Sequence, residues 1–144
     1  MRKYAPLIVI VAVLVIAFAR LDLGGFSGGG AVARGDAALA RAFEDRASSL
    51  QVQGSGIVTR VFDDGGDGNR HQRFILRLAS GQTLLINHNI ELAPRVTSLQ
   101  AGDRVEFRGE YQWNSEGGVI HRTHHDPRGA RPAGWLEHRG RTYQ

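Results

Sequence analysis

The chain has 144 residues, of which 42% are hydrophobic and 22% are charged, and these values are typical of one folded domain. They exclude a multidomain enzyme and wholesale disorder. The absence of cysteine excludes a disulfide scaffold, a thiol nucleophile, a zinc–thiolate centre and a lipid anchor on Cys. The formal net charge is +4, and almost all basic residues are arginines, so the basic balance alone does not indicate nucleic-acid binding.

The amino terminus has the pattern of an export signal. Arg2 and Lys3 precede residues 5–19, which carry no charge and are almost all Ala, Val, Ile and Leu. A helix of this length spans about 22 Å, which suits a signal-peptide core better than a full membrane crossing. An uncleaved anchor is the alternative, since Leu21–Leu23 would lengthen the apolar run. We interpret residues 1–20 as a signal peptide or membrane anchor that contacts the cytoplasmic membrane. The remainder is then exported, and is either membrane-anchored or periplasmic.

A linker and one helix follow the signal. Residues 21–35 are rich in glycine and predict a flexible tether. Asp36 can cap a helix start, and apolar residues then recur at helical spacing with charged residues between them. We predict one amphipathic helix over residues 36–50. Its apolar face consists of Leu39, Ala42, Phe43, Ala47 and Leu50.

The hydrophobic period changes to two after the helix, and residues 51–144 predict an OB-like β-barrel with a C-terminal tail. Five strands are expected, at residues 52–62, 73–78, 83–87, 103–113 and 118–125. A long irregular connection separates the third strand from the fourth, and glycines in the first strand allow it to bend. The predicted fold class is therefore mainly β, as a five-stranded OB-like barrel. An SH3-like barrel or a plain meander is the alternative.

The alternation also predicts which side chains face the core. The expected core residues are Val58, Phe74, Leu76, Leu78, Val105 and Phe107, with Arg104 and Glu106 outside. Trp135 and Tyr143 are larger aromatics than a disordered tail needs. We therefore predict that residues 134–143 fold back on the barrel and bring His138 toward the fifth strand.

A polar pocket is predicted at the end of the third strand. His88 lies there between two asparagines, and His71 lies across the hairpin. The candidate ligand-binding residues are His71, Arg73, His88, Asn89 and Arg95. The alternative is turn chemistry, in which Asn89 caps a short helix and Pro94 ends it.

A histidine-rich site is predicted near the C-terminus, because four of the six histidines fall in the last 24 residues. Imidazole and carboxylate groups suit a divalent transition metal such as zinc. The candidate metal ligands are His121, His124, His125, Asp126 and His138. His121 and His125 would be about 13 Å apart on one strand, so a shared metal requires a bulge or the tail. The alternative is that these side chains form hydrogen bonds within a packed C-terminal segment.

The loop over residues 63–70 is rich in Asp and Gly, but its spacing is not that of an EF-hand, which favours a solvated turn. In an OB-fold this loop frames the oligonucleotide groove. An acidic loop repels phosphate, and nucleic acid is therefore disfavoured as a partner.

The chain from Gly56 to Tyr143 resembles an uncharacterised bacterial family of short exported proteins, a domain of unknown function. The blocks that carry the resemblance are His71–Phe74, His88–Arg95, Gly109–Asn114, Gly117–His121, Thr123–Pro127 and Gly134–Tyr143. The family has no assigned activity, so the resemblance implies no reaction.

These observations favour a non-catalytic binding or structural module of the cell envelope, with a polar, His-rich surface and an unidentified envelope ligand or protein partner. The alternative is a metal-dependent, phosphodiesterase-like hydrolase. In that case the metal would activate water, and Arg73 or Arg95 would hold the charged substrate.

Overall fold

The computed structural model describes residues 31–65 and 70–144. The predicted signal or anchor over residues 1–20 and most of the predicted linker lie outside these residues. The described chain contains one helix, α1 (Asp36–Glu44), and eight strands. The strands are β1 (Ala33–Arg34), β2 (Ser48–Val61), β3 (His71–Arg77), β4 (Thr83–Asn89), β5 (Arg104–Gln112), β6 (Val119–His121), β7 (Trp135–His138) and β8 (Arg141–Tyr143).

Five strands close into a barrel in the order β2–β3–β4–β6–β5 and back to β2. The β4–β6 pairing is parallel, and the other pairings around the barrel are antiparallel. Along the chain this is the order first, second, third, fifth, fourth, which is that of an OB-fold. The predicted fold class is therefore confirmed.

The core lies inside the barrel, where the alternation of the strands placed it. All six predicted core residues are at most 2% exposed, and Arg104 and Glu106 lie outside. The long strand β2 pairs with β5 along its first part and with β3 along its last part. Ile57 pairs with both partners, and a bulge between Val58 and Arg60 follows within the β2–β3 ladder.

Helix α1 is shorter than the helix predicted over residues 36–50. Arg46 has a φ of 50°, which ends the helical path, and β2 already begins at Ser48. Ala47 and Leu50 keep helical spacing in the sequence, yet they contact the core from a turn and a strand. The helical prediction failed over these residues because the same apolar spacing serves two different backbone conformations.

Helix α1 packs against the barrel core through Leu39 and Ala42, which are buried. The Asp36 carboxylate accepts the backbone N–H of Ser80 at 3.0 Å. It makes no capping bond to its own helix. The predicted cap is therefore wrong, and the side chain ties α1 to the β3–β4 hairpin instead.

The predicted tail folds back on the barrel, as expected. Strand β7 pairs with β5, and β8 pairs with β7. Leu136 and Tyr143 are buried in the core. The fifth barrel strand, β6, ends at His121 and does not reach residue 125, because the chain takes a φ of 55° at Arg122.

Candidate functional site

A row of polar side chains crosses five neighbouring strands on the outer face of the barrel. Arg73 of β3 pairs with Asn87 of β4, and His121 of β6 pairs with Glu110 of β5. The parallel β4–β6 register, extended by one residue, brings Asn87 beside His121. Glu110 pairs on its other side with Gln51 of β2. We call these five residues the polar row.

Hydrogen-bonding atoms without a partner are concentrated in the polar row. Among the described residues, five enclosed side-chain nitrogen or oxygen atoms lack a hydrogen-bond partner, and four belong to this row. They are Gln51 Nε2, Arg73 Nε, Asn87 Oδ1 and His121 Nε2. Each such atom costs about 1–3 kcal/mol of stability, and native proteins contain few of them. Their clustering on one face identifies the polar row as a candidate binding site, because a ligand at this face could supply the missing partners.

Glu110 is the charged centre of the polar row. Its carboxylate accepts hydrogen bonds from Arg122 Nη1 at 2.7 Å and from Gln112 Nε2 at 3.1 Å. His121 Nε2 lies 3.6 Å from the same carboxylate, which is too long for a hydrogen bond. Burial lowers the pKa of His121, and the Arg122 and Arg131 cations lower it further, against the opposing effect of Glu110. His121 is therefore neutral at pH 7.

An aromatic ring lies between two arginines beside the polar row. The guanidinium carbon of Arg60 is 4.6 Å from the centre of the Phe62 ring, and that of Arg73 is 5.8 Å from it. Gly65 adjoins the Arg73 side chain, since a Cβ at that position would be in ordinary van der Waals contact with Arg73 Nε, at 3.4 Å. Arg73 thus belongs to the polar row and to this stacked group.

His88 lies in the barrel interior and is fully buried. Its Nε2 donates to the Pro94 carbonyl at 2.9 Å, and its Nδ1 lies 2.7 Å from the Thr123 hydroxyl. A carbonyl only accepts, so the neutral ring carries its proton on Nε2 and accepts from Thr123 at Nδ1. Burial lowers the pKa of His88, the Pro94 bond opposes this, and His124 and His71 lower the pKa further. The space predicted as a polar pocket is therefore a hydrogen-bonded part of the core.

Gln72 completes this interior network, and the sequence analysis missed it. It is fully buried and pairs across the ladder with His88. Its amide donates to the Val96 carbonyl at 3.0 Å and accepts the Val96 N–H at 2.9 Å. The pair fastens the long β4–β5 connection to the barrel.

The other predicted ligand-binding residues are held by local contacts. The Asn89 side chain accepts the backbone N–H of Glu91 at 2.9 Å, so it closes a turn, but the short helix of the alternative is not formed at residues 90–94. Arg95 forms an ion pair with Asp64 at 3.1 Å. His71 is half-buried and pairs with Asn89 at the far end of the ladder. Of the five predicted ligand-binding residues, Arg73 is the one that lies in the polar row.

The predicted metal ligands are placed apart. His138 Nε2 lies 2.8 Å from Asp103 Oδ2, and His124 Nδ1 lies 2.6 Å from the His125 carbonyl. The Asp126 carboxylate accepts three backbone N–H groups of the turn that follows it. Within residues 31–65 and 70–144, no group of three His, Cys, Asp or Glu side chains is placed to hold a metal ion. The hydrolase alternative therefore has no ligand set among these residues.

The prediction that His138 approaches the fifth barrel strand is wrong. On β5, His138 pairs with Val105, whereas His121 pairs with Glu110. Five residues of strand separate these positions, which is about 16 Å. The hydrogen bond between His138 and Asp103 joins β7 to the residue before β5. The same bond lowers the pKa of Asp103.

Asn87, Glu110 and Gln51 were not predicted as site residues. The period of two placed Glu110 on an outward face, but the neighbours of a residue across a sheet depend on strand order and register. Neither is visible in a local pattern, so the polar row appears only after the barrel has closed.

Together, the fold and the polar row define an OB-type barrel with a candidate binding surface on its outer face. The chain belongs to the family described as Protein of unknown function (DUF3465), which matches residues 25–144. This confirms the resemblance to a family of unknown function. No curated protein matches the chain.

Proposed function

We propose that this protein is a non-catalytic binding module of the bacterial cell envelope, with the polar row as its ligand-contacting surface. The observation that carries the proposal is the concentration of partnerless enclosed atoms at Gln51, Arg73, Asn87 and His121. In OB-folds, ligands bind the outer face of the second and third barrel strands. Here those strands are β3 and β4, which contribute Arg73 and Asn87.

The envelope location rests on the amino-terminal pattern, as a signal or a membrane anchor. Arg2 and Lys3 precede the uncharged residues 5–19. No helix within residues 31–65 and 70–144 is long and apolar enough to cross a bilayer. The predicted signal or anchor over residues 1–20 lies outside the described residues.

A reporter fusion tests the location. Alkaline phosphatase, which is active only outside the cytoplasm, should be active when fused after Gln144. Removing residues 1–20 should abolish that activity, because the basic start and the apolar run direct export. A β-galactosidase fusion at the same position serves as the control and should be inactive. Full β-galactosidase activity with an intact amino terminus would contradict the envelope location.

Two amide-to-leucine substitutions test the polar row. Asn87→Leu removes an enclosed acceptor without a partner, so the free energy of unfolding should rise by about 1 kcal/mol. Gln72→Leu is the matched control. It breaks two hydrogen bonds to Val96 and should cost about 3 kcal/mol. Urea denaturation measures both, and an equal loss in the two variants would show that Asn87 is a structural residue.

The same variant tests binding. A ligand in solubilised envelope material should raise the melting temperature of the wild-type protein, since it binds only the folded state. Asn87→Leu should show a smaller rise or none, although the variant itself is at least as stable. The same rise in melting temperature in both proteins would show that the ligand does not bind at the polar row.

A further inference from the structure

Three arginines lie together on the outer face of β2 and β3. Arg73 and Arg77 are outward residues of β3, and Arg60 of β2 pairs with Ile75 between them. None of the three is within 4 Å of a described carboxylate. In contrast, five other arginines in residues 31–65 and 70–144 form ion pairs: Arg41, Arg95, Arg104, Arg122 and Arg139.

The contacts of these arginines leave their hydrogen-bond donors available. Arg60 and Arg73 lie over the Phe62 ring, and a stacked guanidinium uses its flat face. Arg73 Nε is enclosed, so the terminal Nη groups are the donors that remain for a ligand. Among these groups, Arg73 Nη2 makes one long bond, 3.4 Å, to the Asp63 carbonyl. Two N–H groups of one guanidinium match two oxygen atoms of a phosphate group and can bind it with two parallel hydrogen bonds.

Apolar side chains lie between the arginines. Ile57 pairs directly with Arg77 and is 43% exposed, and among the described residues Leu92 is the other exposed large apolar side chain. Ile75 continues the apolar strip to Leu85 on β4. Cations interspersed with apolar groups suit a surface where phosphate lies above hydrocarbon, and a free phosphate ion would gain nothing from the apolar part.

We propose that this arginine patch, consisting of Arg60, Arg73, Arg77, Ile57 and Ile75, binds the phosphate groups of anionic phospholipids and holds the barrel against a membrane. The inference rests on the proposed envelope function, because export or anchoring places the barrel beside a membrane and raises the local lipid concentration.

A single fluorophore on the full chain tests this inference. The chain has no cysteine, so Ile57→Cys creates one labelling site inside the arginine patch. Leu92→Cys is the matched control, because Leu92 is 48% exposed and is no part of the patch. In vesicles that contain phosphatidylglycerol, the emission of an environment-sensitive dye at position 57 should shift to the blue. The shift should be absent in phosphatidylcholine alone, at position 92, and at high salt.

Two triple variants with the same change in charge separate the arginine patch from net charge. Arg60→Gln, Arg73→Gln and Arg77→Gln together should reduce the ratio of docked to undocked protein on the order of a hundredfold. The control combines Arg41→Gln, Arg128→Gln and Arg139→Gln, whose arginines lie on α1, in the turn after Asp126 and between β7 and β8. It should reduce that ratio far less.

Several results would overturn the inference. Equal losses in the two triple variants would show that only net charge matters, and an equal shift in phosphatidylcholine would show that anionic lipid is not needed. Competition by millimolar inorganic phosphate would indicate a soluble phosphate site, and competition by an oligothymidine would indicate a nucleic-acid surface. The export reporter stays independent of all these results. A chain that is exported but does not dock leaves the proposed function intact, whereas a cytoplasmic chain defeats both.

Discussion

A single buried imidazole joins separate segments of the barrel. His88 on β4 donates to Pro94 in the connection that follows it and accepts from Thr123, which lies beyond β6. Both partners are satisfied by the neutral ring. A protonated ring would carry a charge into a fully buried position, with His124 and His71 nearby. The protonation state of His88 is therefore linked to the stability of the fold.

His88 should make stability fall in mild acid. Its pKa is below 6.5 in the folded state, so the unfolded state binds the proton first as the pH falls. The stabilisation is complete above about pH 6.5 and is lost as the pH falls toward the folded-state pKa, by up to about 1.4 kcal/mol per pH unit. Urea denaturation between about pH 5 and pH 7.5 should show this slope.

The variant His88→Gln should reduce that slope by up to one proton, and His121 keeps its own contribution because its pKa is also lowered. His125→Gln is the control, since His125 is exposed. If His88→Gln and the wild-type protein have the same slope, the imidazole does not titrate with unfolding.

The β7–β8 hairpin illustrates stability at the level of the element. It adds two strands outside the closed barrel, and its Leu136 is fully buried in the common core. Leu136→Ala should lower the free energy of unfolding by about 2–5 kcal/mol. Leu92→Ala makes the same truncation at an exposed site and should change stability by less than about 0.5 kcal/mol. Thermal or urea denaturation measures the pair, and a small effect at Leu136 would mean that the hairpin is only loosely attached.

The elements could be predicted to different degrees, for physical reasons. Strand β5 alternates cleanly between apolar and charged residues, so both its extent and its inward face could be predicted. The end of α1 could not, because Ala47 continues the apolar spacing after the chain has reversed at Arg46. Strands β7 and β8 were expected only as a tail that packs, since each is too short to show a period.

The candidate site was harder to predict than the core. To predict a core residue, it is enough to know which face of its own strand points inward. To predict the polar row, the register of four other strands must also be known. The high density of histidines near the C-terminus predicted a metal site, but His88 and His138 form hydrogen bonds inside the fold. Asn87 and Gln51 have no distinguishing local pattern, so their role depends entirely on their cross-strand neighbours.

At the scale of the whole molecule, the barrel can close only late in folding, because its first strand pairs with a strand far along the chain. Ser48 at the start of β2 pairs with Gln112 at the end of β5, and pairings so distant in the chain form slowly. During synthesis β2 is the first of the five barrel strands to be made, so its edge toward β5 stays unpaired until most of the domain has been made. An unpaired strand edge can associate with other chains. The first nine residues of β2, however, are Ser-Ser-Leu-Gln-Val-Gln-Gly-Ser-Gly. Its glycines and polar side chains make this stretch a poor template for aggregation. The barrel strand that stays unpaired longest during synthesis therefore has a low tendency to aggregate.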